Sequence, residues 1–276
     1  MQDAVVLGTL SKLKSSLQAP VEYALPLGDE RVDLNPLLGK SLKLTYTSQI
    51  FCTHCGRKTK KSFDQGYCYP CFRKLAQCDT CIVKPENCHF DQGTCREPDW
   101  AQNFCFQGHT VYLSNSSGIK VGITRNDQVP TRWIDQGAVQ ALPVFQVKNR
   151  FHSGLVEITL GKYVSDKTRW QAMLKNQVDE LDMVAERDKL LQQCQLELDA
   201  LRDQLGEDSI VPVTGADTIS IEYPVLEYPS KVVSLNFDKN PVVEGTLLGI
   251  KGQYLIFDTG VINIRKYTGY EVEVAC

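Results

Sequence analysis

The sequence predicts an α+β protein: β-rich N- and C-terminal segments, pieces of a small barrel or sandwich, flank a cysteine knot, a ββαβα unit and a long amphipathic helical segment. Three observations carry that prediction. Eight of the eleven cysteines fall between Phe51 and Arg96. Short runs of Val, Leu, Tyr and Thr, broken by Gly and Pro, fill both ends of the chain. From Trp170 to Leu205 apolar residues instead recur three or four apart, the helical period. These features divide the chain into residues 1–50, 51–108, 109–164, 165–206 and 207–276.

In the first segment AVVLGTL, VEYALPL and RVDLNPLLGKSLKLTYTSQI read as strands, with a turn at Gly28-Asp29. The last of them runs straight into Cys52 and so anchors the knot to a sheet. There Cys52-x-x-Cys55 is followed after twelve residues by Cys68-x-x-Cys71, a spacing that lets two tight turns gather four thiolates around a zinc ion. Gly56 stands where such a turn often needs a positive φ. A less regular set, Cys78, Cys81, Cys88 and Cys95, follows, and it suits a second zinc or an iron–sulfur cluster. One or two structural zinc sites are therefore expected, closed by four cysteines and so structural rather than catalytic. His54 and His89 read as neighbours of the ligands. Cys105 and His109 form a C-x-x-x-H pair that could lend a ligand to the second metal, or could simply be packed inside. The opening MQDAVVLG lacks a basic stretch followed by an apolar one, which argues against a secreted disulfide module.

Charge is unevenly spread beneath a formal net of −3. Arg57, Lys58, Lys60, Lys61, Arg73 and Lys74 face only Asp64 across their stretch, whereas Asp179 to Asp208 carries ten acidic residues against Arg187, Lys189 and Arg202. The total thus hides a basic centre of the kind that meets nucleic acid. No apolar run approaches the roughly 18 residues of a membrane span, so a soluble, cytoplasmic protein without a membrane partner is expected. Phosphate-cradling P-loops, dinucleotide fingerprints and Gly-x-Ser-x-Gly elbows are missing from the sequence, which removes several enzyme classes.

Between His109 and Val164 the order is a strand (Thr110 to Ser114), a Gly-containing turn, a strand (Ile119 to Thr124), a short helix with Thr131, Arg132 and Trp133, a strand LPVFQVK and a helix carrying Glu157. Glu157 stands among Leu155, Val156, Ile158 and Leu160, where a buried carboxylate needs a partner or a metal. Beyond it, Leu191, Leu198 and Leu205 keep a seven-residue period, which fits either a pair of helices packed on the domain or a short coiled-coil hairpin. The last segment reads as a meander, Val243 to Ile250, Gln253 to Phe257 and then VINIRKY, and its likeness to the start of the chain suggests that the two ends pair in one sheet.

Val111-Tyr112-Leu113 and Lys120-Val121-Gly122-Ile123-Thr124 resemble the two signature strands of divergent members of the GIY-YIG nuclease superfamily. The resemblance implies that Tyr112 helps to activate water, that Arg132 stabilises phosphate charge and that Glu157 holds Mg²⁺ or Mn²⁺. Lys120 stands where the second signature tyrosine belongs. Over nearly its whole length the chain also resembles an uncharacterised prokaryotic family, through CGRKTKKSFDQGYCYPC, CDTCIVKPENCHFDQGTC, KVGITR, RWIDQGA and GIKGQYLIFDTG. The expected function is a zinc-containing nucleic-acid-binding protein, with phosphodiester hydrolysis at Tyr112, Lys120, Arg132 and Glu157. The alternative is a non-catalytic scaffold that binds other proteins through its zinc knot and acidic helix.

Overall fold

The computed structural model describes residues 5–164 and 169–276. An antiparallel sheet runs in the order Val5–Thr9, Tyr270–Ala275, Ser41–Phe51, Val242–Lys251, Tyr254–Phe257 and Gly260–Asn263, with Lys58–Thr59 hydrogen-bonded to Ser41–Phe51. Val5 lies opposite Ala275 and Thr9 opposite Glu271, so the two ends of the chain do pair. The knot and the ββαβα unit are inserted between them. A small sheet of Lys14–Ser16, Glu22–Leu27 and Glu30–Asp33 shares the same core, where Leu25 and Leu27 join Leu42, Leu44, Val272 and Val274. Neither sheet closes into a barrel. VINIRKY is not one strand: after Gly260–Asn263 the chain tightens into a 3-10 turn, Ile264–Tyr267, that buries Ile264 and Tyr267.

A second sheet is built on His109–Asn115, flanked by Ile119–Arg125 on one side and Gln140–Val147 on the other, with Ile210–Pro212 beyond. Side chains alternate across it. Val111 and Leu113 pack with Val156 and Leu160 of the helix Arg150–Gly161 and with Leu190 and Leu198 of the helix Met183–Leu205. Tyr112, between them in sequence, joins the other core together with Trp133 and Ile134 of the helix Thr131–Asp135. The strand–strand–helix–strand–helix order read from the sequence is present throughout.

The region after it is not a helical hairpin. Trp170–Leu174 is a single short helix, and residues 177–182 run without regular structure before Met183–Leu205 begins. The interruption has a cause in buried amides: Gln140 accepts from the Leu181 N–H at 3.0 Å and donates to its carbonyl at 2.9 Å, while Asn115 donates to the Asp179 carbonyl at 2.8 Å. Those backbone groups are satisfied by side chains rather than by a helix. The long helix starts on Asp182, whose carboxylate accepts from Ala185 N–H at 3.0 Å, and stops at Gly206 with φ 92. It buries Met183, Leu190, Cys194 and Leu198, a stripe rotated from the Leu191, Leu198, Leu205 heptad, because it packs on a sheet and a helix rather than on a twin of itself. The expected segment begins at Ser165, and residues 165–168 lie outside the described residues. None of the described helices is long and apolar enough to cross a membrane.

His109, at the start of the central strand, is fully buried with its Nδ1 2.7 Å from the Gln107 carbonyl. Burial pushes it down to about 4, against the pull of that carbonyl and with the help of Arg150 and Arg125. It is therefore neutral in the folded protein while the unfolded chain takes up a proton from about pH 6.5 downward, so its contribution is complete above that value and is lost as pH falls toward 4. A shift of that size corresponds to about 3 kcal/mol. Urea unfolding at stepped pH should show this loss, and His109→Asn, which keeps a donor toward Gln107 without the titration, should flatten the slope between those limits. Equal slopes in the two proteins would show that His109 does not set it.

Candidate metal centre and adjoining cleft

The strand Ser41–Phe51 delivers Cys52 to the edge of the first sheet, and the chain then turns back so that Lys58–Thr59 pairs with Ile50 and Phe51. Within the turn Gly56 adopts φ 68 and donates its N–H to the Cys52 carbonyl at 2.8 Å, while Cys52 donates to Arg57 at 2.9 Å. The second half is carried by Gly66, with φ 134, and by Cys68, which opens the helix Tyr69–Lys74. The sulfurs of Cys52, Cys55, Cys68 and Cys71 lie within 4.8 Å of one another, and Cys55 and Cys68 are 3.8 Å apart. A tetrahedron of about 2.3 Å Zn–S bonds has edges of about 3.8 Å, so this set can hold a metal ion with little movement. Burial works to raise Cys52, yet the N–H groups of Cys68, Cys55 and His54 bring it down to about 6. Cys71 is pushed up to about 12, by desolvation and by the thiols of Cys68, Cys55 and Cys52. Four such thiols do not ionise together without a cation between them. His54 is exposed and lies outside the set.

The second expected set is only partly brought together. Cys81, Cys88 and Cys95 line one small cavity, and the fourth cysteine there is Cys105. Cys78 does not line it; its thiol lies near Asp64 and Arg96 and is pushed up to about 12 by burial and by Asp64. Asp79, Cys81 and His89 are also close together. The Asp79 carboxylate is already engaged, with Arg96 at 2.8 Å, His89 at 3.4 Å and the Thr80 N–H at 2.7 Å. His109 makes no approach to this cavity.

Tyr112 and Gly122 are cross-strand partners, and the Tyr112 ring lies over the glycine so closely that a Cβ there would sit 2.6 Å from Cζ and 2.7 Å from the hydroxyl. The phenol is fully buried, donates to Gln136 Oε1 at 3.0 Å and packs edge-on against Trp133. Burial pushes it up to about 12 even though Arg132 pulls it down, with Glu157 adding to the rise. It is a donor at neutral pH and not a base. Glu157 is half-buried; burial raises its carboxyl, the guanidiniums of Arg150 and Arg132 pull it back and Glu86 adds a further push. Glu157 thus lies within electrostatic reach of Tyr112, Arg132 and Arg150. Lys120, opposite Ser114, is placed on the face of the sheet shared by Tyr112 and Gly122 and is half-buried.

Arg132 also lies near Arg265, whose pKa falls through burial and through that second guanidinium. Arg265 in turn lines an open cleft of about 710 Å³ with Lys60, Lys61 and Lys266, four cations that outnumber the two carboxylates of its lining, Asp64 and Asp238. The knot supplies two of these cations and the 3-10 turn Ile264–Tyr267 the other two. No motif marks Arg265, Arg150 or Gln136, whereas Cys105, one of the residues expected as a possible ligand of the second metal, does line the small cavity of the second cysteine set. Position in the chain gives no sign of Arg265, since about 130 residues separate it from Arg132.

A family model described as "Protein of unknown function (DUF2797)" matches residues 39–272. No curated protein and no solved structure matches the chain.

Elemental analysis of the purified chain should find a tightly held metal that is lost, together with thermal stability, when Cys68→Ser or Cys52→Ser is introduced; metal content unchanged in both variants would exclude this set. Gly122→Ala should destabilise by about 1–3 kcal/mol in denaturant unfolding because the ring above it cannot withdraw, and Tyr112→Leu in the same chain should recover much of that loss.

Proposed function

The chain belongs to the DUF2797 family, and we propose, from the chemistry of its own residues, that it is a nucleic-acid-binding protein, zinc-stabilised at Cys52, Cys55, Cys68 and Cys71, that hydrolyses a phosphodiester in the manner of the GIY-YIG nucleases its ββαβα unit resembles. One observation carries the reading: Arg132 lies close to Tyr112, Glu157 stands within electrostatic range of Arg132, Arg150 and Tyr112, and Arg265, within range of Arg132, lines a cleft with Lys60, Lys61 and Lys266. A line of cations that ends at a half-buried carboxylate suits a phosphate backbone, since its charge is neutralised along the approach and at the reacting group.

In this reading Lys60, Lys61 and Lys266 hold the strand as point charges and Arg265 and Arg132 contact phosphate oxygens. Tyr112 positions rather than reacts: its hydroxyl, fixed on Gln136 and close to Arg132, keeps the guanidinium on the sheet face where the tyrosine ring covers Gly122. The carboxyl of Glu157, raised by burial and with Glu86 as the second carboxylate in electrostatic range, fits a divalent cation. Mg²⁺ or Mn²⁺ bound there would supply Lewis-acid neutralisation and an ordered water. Lys120, on the Tyr112 face, adds a positive charge where the related nucleases carry a tyrosine.

A scaffold reading draws on the helix Met183–Leu205, where Leu196 is 87% exposed among acidic residues. Salt separates the two. Binding of labelled single- and double-stranded DNA and RNA, followed by anisotropy, should weaken steeply with salt, and Lys60→Glu with Lys61→Glu should weaken it across all sequences and lower the salt slope by about 1 per lost phosphate contact. Salt-indifferent binding, or none, favours the scaffold. Cleavage with Mg²⁺ or Mn²⁺ should fall by roughly 10²-fold or more in Glu157→Gln and in Arg132→Ala; equal cleavage in both variants and the parent would remove the hydrolytic assignment.

A further inference from the structure

The segment from Leu75 to Phe106 is a chain of short turns, Ala76–Cys78, Thr80–Val83, Pro85–Asn87, Phe90–Gln92 and Pro98–Phe104, and contributes no residue to the three hydrophobic clusters of the protein. A stretch that builds no apolar core of its own needs another staple. What its turns surround is a small cavity. Cys81, Cys88, Cys95 and Cys105 line it together with Ile82, Phe90, Trp100 and Ala101, and two of these rings are themselves braced: Phe90 packs edge-on against Phe106 with centroids 4.6 Å apart, and Trp100 stacks on Phe104 at 4.3 Å. All four cysteines are free and half-buried.

These four thiols differ from the first set in one respect that bears on the occupant. The sulfurs of Cys52, Cys55, Cys68 and Cys71 all close to within 4.8 Å of one another, and those of the second set do not. A single tetrahedral ion needs its ligands about 3.8 Å apart. A polynuclear cluster attaches each thiolate to a separate metal atom, which holds the thiolates wider apart around an enclosed centre. Nor do the cysteines come in close C-x-x-C turns: the spacing is C-x₆-C-x₆-C-x₉-C, one ligand from each of four separate turns. Arg150 supplies a half-buried counter-charge. Its backbone N–H donates to the Cys105 carbonyl at 2.8 Å, its guanidinium donates to the Ile82 carbonyl, and its Nε is buried without a partner. Asp79 and His89 also line the cavity and lie within 4.8 Å of the Cys81 sulfur, but Asp79 is already held by Arg96 at 2.8 Å and His89 at 3.4 Å, and His89 Nδ1 meets the Thr94 hydroxyl at 2.7 Å.

We propose that Cys81, Cys88, Cys95 and Cys105 ligate an iron–sulfur cluster, separate from the single-ion site at Cys52, Cys55, Cys68 and Cys71. Cys78 takes no part. The cluster fixes the loop between its first two ligands, and that loop matters elsewhere: Pro85 and Glu86 press on Gly154 so closely that a Cβ there would sit 2.7 Å from the Pro85 side chain. The cluster therefore braces the helix that carries Glu157, and its existence does not depend on what that helix does.

The test is metal and acid-labile sulfide analysis of the full chain, purified without oxygen, supplied with ferric iron, sulfide and a thiol reductant that provides any electrons the cluster takes up, and then desalted. Iron and sulfide in equal amounts, with broad visible absorption that bleaches on reduction, are expected beside the tightly held ion of the first set. Cys105→Ser should lose the iron and the absorption while retaining that ion, which also reports that the variant has folded, and Cys78→Ser should keep everything. Zinc in both sets with no retained iron overturns the proposal, as does a disulfide among the four cysteines under these conditions. Loss of iron in Cys78→Ser but not in Cys105→Ser overturns the ligand assignment. Should Cys105→Ser fail to fold, the iron and sulfide content of the unaltered chain decides.

Discussion

The strand Ser41–Phe51 is hydrogen-bonded along both edges, to Tyr270–Ala275 on one side and Val242–Lys251 on the other, and takes on Lys58–Thr59 near its end. A strand so fixed has no freedom to shift register, since a slip of one residue would turn Leu42 and Leu44 out of the core. Its last residue is followed at once by Cys52, so the first thiol of the metal set inherits the position of the sheet. The C-terminal strands that hold it also carry Arg265 and Lys266 to the same end of the molecule as Lys60 and Lys61. One backbone constraint thus places the metal set and the basic cleft side by side.

The second sheet solves a different problem, because it has an apolar core on each face. Val111 and Leu113 serve one and Tyr112 the other. A tyrosine whose ring must lie flat across the neighbouring strand needs that strand to have no Cβ at the contact, and Gly122 supplies the gap. The hydroxyl then meets Gln136 and the surroundings of Arg132, while the helix Arg150–Gly161, from the opposite face, brings Arg150 and Glu157 within electrostatic range. That arrangement places two guanidiniums and a carboxylate in poorly solvated surroundings, where charges act on one another more strongly than they do in water.

Much of this was legible in the residues alone. The first cysteine set, the ββαβα order, the pairing of the two ends and the positions of Tyr112, Arg132 and Glu157 follow from patterns a few residues long, and local patterns report local geometry. The helical segment was legible in kind but not in extent: its period marked a helix, yet the break between Leu174 and Met183 depends on Gln140 and Asn115 from another sheet. The same applies to the small barrel expected at the termini, which is an open sheet, because closure depends on how distant strands meet and not on any one of them.

By itself the sequence determined which residues turn, which alternate and which four cysteines close tightly, since each of these is set by side-chain size, backbone freedom and spacing within a short stretch. Only the tertiary structure decided that Cys105 takes the place of Cys78 at the second cavity, that the half-buried Arg150 reaches the Ile82 carbonyl, and that Arg265 stands near Arg132. Those relations join residues from separate turns or from elements over a hundred residues apart, and they are fixed by packing and burial, which leave no periodic trace in the chain.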